Sequence, residues 1–184
     1  MLENCYQKEL PEAGCDEAGR GCLAGPVFAA AVMLPPDFSH PLLNDSKQMT
    51  ARQRDLLRAI VEREALAWVV KAVSAERIDQ INILQATYEA MRDAIAALMP
   101  APDLLLVDAV HIPEVETKQV GIIKGDAKSV SIAAASIIAK VTRDHMMMEM
   151  DALYPEYGFA GHKGYGAATV SYTHLRAHET SLHL

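Results

Sequence analysis

The run Leu104-Leu105-Leu106-Val107, apolar at every position and closed by Asp108, constrains this chain more than any other feature. A strand with one face in water alternates apolar and polar residues, whereas a strand apolar at every position is covered on both faces. Helices must therefore lie above and below a sheet, which is an α/β architecture. Asp108 then sits just past the carboxyl end of a buried strand, where such sheets keep their chemistry. The apolar stretch at residues 27–34, halted by Pro35-Pro36, makes the same demand for cover.

The remaining elements follow from local pattern. An approach strand leads to Asp16, and a third strand, rich in Val and Ala around Trp68, occupies residues 65–73. Thr50-Ala51-Arg52-Gln53 fits a capping box that opens a helix to about residue 64, and Ser74 can cap a short helical turn. Ile83, Ala86, Ala90, Met91, Ala94, Ile95 and Leu98 recur at helical spacing until Pro100 stops the helix. A fifth strand near residues 119–123 precedes a long helix over residues 131–150, whose Ala133, Ala134, Ala135, Ser136 and Ala139 permit close packing on the sheet. The expected fold is an α/β mixed sheet, antiparallel in its first three strands and parallel afterwards, flanked by helices and followed by a C-terminal helical part.

Chemistry concentrates in Cys15-Asp16-Glu17-Ala18-Gly19-Arg20-Gly21. Successive strand residues point to opposite faces, so Asp16 and Glu17 can share a site only if regular strand geometry stops there and the glutamate reaches round. The glycines leave backbone N–H groups open to a sugar or phosphate, and Arg20 adds a positive fork. With Asp108 and Asp126, four carboxylates can meet at one sheet edge if the first and fourth strands are neighbours. Such an oxygen cage suits Mg²⁺ or Mn²⁺ and is poor for zinc. The net charge of −7 argues against a nucleic-acid partner until two bound divalent cations are counted, which bring it to about −3.

A chain of 184 residues, 51% of them hydrophobic, is expected to form one domain. No apolar run approaches the ~18 residues of a membrane span, and residues 1–10 are unlike a signal sequence. Cys5, Cys15 and Cys22 suggest neither a disulfide framework nor a zinc site. A cytoplasmic protein with reduced thiols and no membrane partner is expected, with monomer as the default.

Asp16-Glu17-Ala18-Gly19-Arg20-Gly21, Gly25-Pro26-Val27, Asp45-Ser46-Lys47, Asn82-Ile83-Leu84, Val107-Asp108, Lys124-Gly125-Asp126, the stretch Ser131 through Asp144, and His162-Lys163-Gly164-Tyr165-Gly166 together resemble bacterial ribonuclease HII, in order and spacing. The resemblance implies an RNase H-like fold and cleavage of RNA in RNA–DNA hybrids and at single ribonucleotides embedded in duplex DNA, giving 5′-phosphate and 3′-hydroxyl ends. It implies Asp16, Glu17, Asp108 and Asp126 as catalytic metal-binding acids for two divalent ions. It also implies that Gly19, Arg20 and Gly21 sense the 2′-hydroxyl while Tyr165 packs on the neighbouring deoxyribose. Lys47, Ser129, Lys140 and Lys163 are candidate phosphate contacts.

The resemblance covers residues 13–168. Residues 169–184 depart from the family pattern, so a catalytic domain over 1–168 and an atypical tail of foreign or artefactual sequence are expected, the tail loosely packed. His174 and His178 lie in that tail and lack a third ligand. Two other readings fit parts of the pattern: another RNase H-like two-metal nuclease of resolvase or integrase type, and a hybrid-binding protein with impaired catalysis.

Overall fold

The computed structural model describes residue 2, residue 6, residues 10–43 and residues 49–166. Lys47 and the 169–184 tail, with the expectations attached to them, lie outside these residues. A five-stranded sheet runs in the order β3-β2-β1-β4-β5, formed by β1 (Glu12–Ala18), β2 (Val27–Met33), β3 (Ala67–Val73), β4 (Leu104–Asp108) and β5 (Lys118–Ile122). β1, β2 and β3 pair antiparallel, whereas β1–β4 and β4–β5 are parallel. The mixed sheet is the one that the apolar runs predict.

The helices are α1 (Ala51–Glu64), α2 (Ala75–Ile81), α3 (Ile83–Ala96), α4 (Val130–Leu153) and α5 (Phe159–His162). Thr50 and Gln53 form the expected capping box of α1, and the Ser74 side chain accepts from the Arg77 N–H at the start of α2. A 3-10 turn at Pro155–Tyr157 and the short α5 make up the described part of the C-terminal helical region.

Alternation along the strands divides the core. Ala13 and Cys15 of β1, with Ala29 and Ala31 of β2, pack against Ala86, Ala90 and Met91 of α3. Ala30 and Val32 point the other way, against Leu57 and Val61 of α1 and Ala134, Ile137 and Ile138 of α4. Gly14 also faces α4, where a Cβ would lie 2.1 Å from the Ser131 carbonyl carbon, so only glycine lets helix and strand backbones touch. Asp16 shares that face, and α4 therefore passes directly beneath it.

Candidate active site

β1 and β4 run side by side with Cys15 opposite Val107, so Asp16 and Asp108 emerge from neighbouring strands in the same direction. Regular geometry does not stop at Asp16, contrary to the sequence expectation. Asp16 and Glu17 both keep their pairing with β2, opposite Ala30 and Ala29. What ends is β4, at Asp108. The open end of that strand leaves a crevice that both neighbouring carboxylates reach, although they start on opposite faces.

The crevice is a cavity of about 530 Å³ lined by Asp16, Glu17, Asp108, the Ala18-Gly19-Arg20-Gly21 turn, Arg54, Ser136, Lys140 and Tyr165. Asp16 is 6% exposed, and its Oδ1 accepts the Glu17 N–H at 2.8 Å. Burial, followed by the charge of Glu17, pushes its carboxyl well above the usual range, outweighing a hydrogen bond from Ser136 that acts downward. Burial also raises Glu17; Arg20, 3.7 Å away, opposes this and Asp108 adds to it. Asp108 accepts the Gly125 N–H at 2.7 Å, which ties it to the 3-10 turn Gly125–Ala127. Asp126 lies in that turn, 4% exposed, and does not line the cavity.

Among the described residues no three His, Cys, Asp or Glu side chains are disposed to hold a metal ion as they stand. The donor set nevertheless fits a hard divalent cation. It is oxygen-only, and the upward push on Asp16 and Glu17 reflects desolvated, mutually repelling charge that a cation would relieve.

A second wall is made by a turn and an aromatic ring. Gly19 takes φ +105°, and a Cβ there would strike Arg143 Nε at 2.4 Å. Gly21 differs, because among the described residues, its chain neighbours aside, no atom lies within 4 Å of where its Cβ would stand. Packing among the described residues does not demand glycine at 21. Tyr165 is 39% exposed and forms an isolated antiparallel bridge with Cys22. Lys140 Nζ lies 4.8 Å from the centre of its ring and pairs with Asp144 at 2.8 Å. Ser129 caps α4 by accepting from the Ile132 N–H, and Lys163 Nζ donates to the Ala160 carbonyl; neither lines the cavity.

Three site-building residues carry no role at the site in the sequence expectations, although Ser136 is expected among the small residues that let its helix pack closely. Arg143 is fully buried and donates to the carbonyls of Pro26 at 3.0 Å, Lys163 at 2.7 Å and Ala24 at 2.9 Å. One guanidinium thus ties the loop before β2 to the segment carrying Tyr165. Ser136 holds Asp16, and Arg54 reaches the cavity from α1 while donating to the Met49 carbonyl at 2.6 Å. The spacing 136, 140, 143 puts Ser136, Lys140 and Arg143 on one helix face, a legible signal for two of the three.

The family model described as ribonuclease HII matches residues 13–183. A ribonuclease HII of Syntrophomonas wolfei is 52% identical over 171 residues, covering 93% of this chain and 67% of the relative. One from Lachnoclostridium phytofermentans is 57% identical over 167 residues, covering 89% and 66%. The chain therefore spans about two thirds of the length of these relatives. The crystal structure of the ribonuclease H2 from Pyrococcus horikoshii superposes with a TM-score of 0.77 at 27% identity, over 94% of this chain and 89% of that one. With both walls of the cavity inside the matched residues and the same fold in a solved relative, the chain belongs to the ribonuclease HII family.

Proposed function

We propose that the chain is an endoribonuclease that cleaves the RNA strand of RNA–DNA hybrids and cuts at a single ribonucleotide embedded in duplex DNA, leaving 5′-phosphate and 3′-hydroxyl ends. The observation that carries this is the meeting, in one cavity, of three carboxylates, a glycine turn open at Gly21 and an exposed tyrosine. Family membership sets aside the resolvase or integrase alternative.

Asp16, Glu17 and Asp108, with Asp126 of the adjoining turn, would hold two Mg²⁺ or Mn²⁺ ions. Bound there, they would supply an activated water as nucleophile and charge stabilisation at the leaving 3′ oxygen. The protein's own part is orientation. Ser136 steadies Asp16, and the Gly125 N–H steadies Asp108. The backbone of the Gly19-Arg20-Gly21 turn, buried at Gly19 and exposed at Arg20 and Gly21, hydrogen-bonds the 2′-hydroxyl, the one group that distinguishes a ribose from a deoxyribose at this position. Tyr165 packs on the adjoining deoxyribose. Of the expected phosphate contacts, Lys140 is the one supported by a place on the cavity wall. In this proposal residues 1–168 form the catalytic part and 169–184 an atypical segment.

The test is a gel assay on a labelled duplex carrying one ribonucleotide. Cleavage at that nucleotide with Mg²⁺, and none after chelation, is expected. Binding without cleavage in either condition would favour the hybrid-binding alternative.

A further inference from the structure

His162 does not line the cavity, yet its half-buried ring is bonded on both sides. Nδ1 accepts the Gly164 N–H at 3.0 Å, and Nε2 lies 2.8 Å from the Tyr157 carbonyl oxygen. A backbone N–H only donates and a carbonyl only accepts, so one arrangement satisfies both: a bare Nδ1 and a proton on Nε2. Phe159 meets the ring edge-on at 5.7 Å and stacks on Tyr157 at 5.5 Å, which limits rotation.

The ring grips the turn that leads into Tyr165. Lys163 at φ 52° and Gly164 at φ 80° are successive left-handed residues, and for Lys163 that conformation is unfavourable. The Tyr165 N–H donates to the His162 carbonyl at 2.9 Å, closing the turn back on the residue whose ring holds its centre. Arg143 takes the Lys163 carbonyl, and Leu23 donates to the Gly164 carbonyl. The Gly164 N–H is left to His162.

We propose that His162 is a positioning residue for Tyr165: its neutral ring, protonated at Nε2, holds the Lys163-Gly164 turn in the left-handed form that presents the tyrosine to the cavity. This deepens the proposed function and rests on Tyr165 acting at the sugar beside the embedded ribonucleotide. The ring touches no substrate; its effect reaches the reaction through the tyrosine.

The full chain is assayed on a single-ribonucleotide duplex and on an all-RNA hybrid as wild type, Tyr165→Ala, His162→Ala, His162→Asn and the Tyr165→Ala/His162→Ala double variant. His162→Ala is expected to slow single-ribonucleotide cleavage about 3- to 10-fold, the equivalent of one hydrogen bond, and to affect the hybrid less. His162→Asn should recover most of the loss, because its side-chain oxygen stands near the place of Nδ1 and accepts the same N–H. In the Tyr165→Ala background the histidine change should add nothing. A wild-type rate for His162→Ala, an equal loss on both substrates, or a full further loss in the double variant would overturn the inference. An unchanged rate for Tyr165→Ala would instead overturn the role given to the tyrosine. Nitrogen NMR of labelled histidine in the wild-type chain provides a check that no unfolded variant can confuse: Nε2–H is expected, and Nδ1–H would overturn the assignment.

Discussion

The acids and the tyrosine face the same cavity but are held in place by different kinds of bond. Asp16 and Glu17 ride on β1, which is laddered to β2 on one side and to β4 on the other, and Asp108 ends β4 itself. Tyr165 has one isolated bridge to Cys22, and its segment relies on side chains that reach across to main-chain atoms, chiefly Arg143 and His162. A ladder spreads the placement of a residue over many equivalent bonds. A buried guanidinium concentrates it in one side chain, so the tyrosine wall is the one that a distant substitution can detach.

The largest effect should come from the laddered wall, and it should be chemical. Asp108→Asn is expected to fold and melt as wild type while losing more than the ~10²–10³-fold in turnover that one preorganised electrostatic group typically supplies. Near-wild-type turnover at saturating Mg²⁺ would break the comparison outright. On the tied wall the expected effect begins with stability. Arg143→Lys keeps the charge but not the fork, leaving carbonyls of Ala24, Pro26 or Lys163 unpaired at about 1–3 kcal/mol each. A total near 3 kcal/mol would lower the melting temperature by roughly 6–12 °C. An unchanged melting curve would show that the bridge between the loops is not what holds them.

Tyr165→Ala should leave the fold intact and reduce cleavage of a single-ribonucleotide duplex about 10-fold, as expected for one aromatic contact of about 1–3 kcal/mol. The smallest effect is a pH dependence of stability. The folded-state pKa of Asp16 lies above its unfolded value near 3.9, so the folded form binds the proton more tightly. That contribution is fully present below about pH 4 and is lost as pH rises through the folded pKa. With divalent cations chelated, Asp16→Asn should therefore melt a few degrees above wild type at pH 7 and level with it at pH 3.5. Added Mg²⁺ should stabilise wild type more than the variant. A difference that did not depend on pH would remove charge repulsion as its source.

The strand-borne half of this arrangement was legible in the sequence, and the tied half was legible only in part. An all-apolar strand closed by Asp108 demands a covered sheet, and the capping signals at Thr50 and Ser74 act within a few residues, so pattern suffices for both. The termination of β4 beside a β1 that continues is a relation between strands far apart in sequence, and no local pattern in Asp16-Glu17 reports it. Arg143 escaped for a similar reason. Arginine is almost never fully buried unless paired, and its partners here are carbonyls at Ala24, Pro26 and Lys163, whose side chains carry no mark of the bond. Gly21 shows the reverse: the residue was readable, but only the space around it, empty of other described residues, shows that their packing makes no demand for glycine.

Gly14 gives both walls a common origin. Because a Cβ there would fall 2.1 Å from the Ser131 carbonyl carbon and 2.3 Å from the Ile132 nitrogen, α4 rests main chain to main chain on β1, like a rule laid against a stop. Ser136, Lys140 and Arg143 are graduations along that rule, the last about 18 Å from the stop at 1.5 Å per residue. An alanine at 14 would lift the rule and misread every graduation together, loosening Ser136 from Asp16 and Arg143 from its carbonyls in one step. Each wall of the site can be altered residue by residue, but the distance between them is set at a position that touches neither.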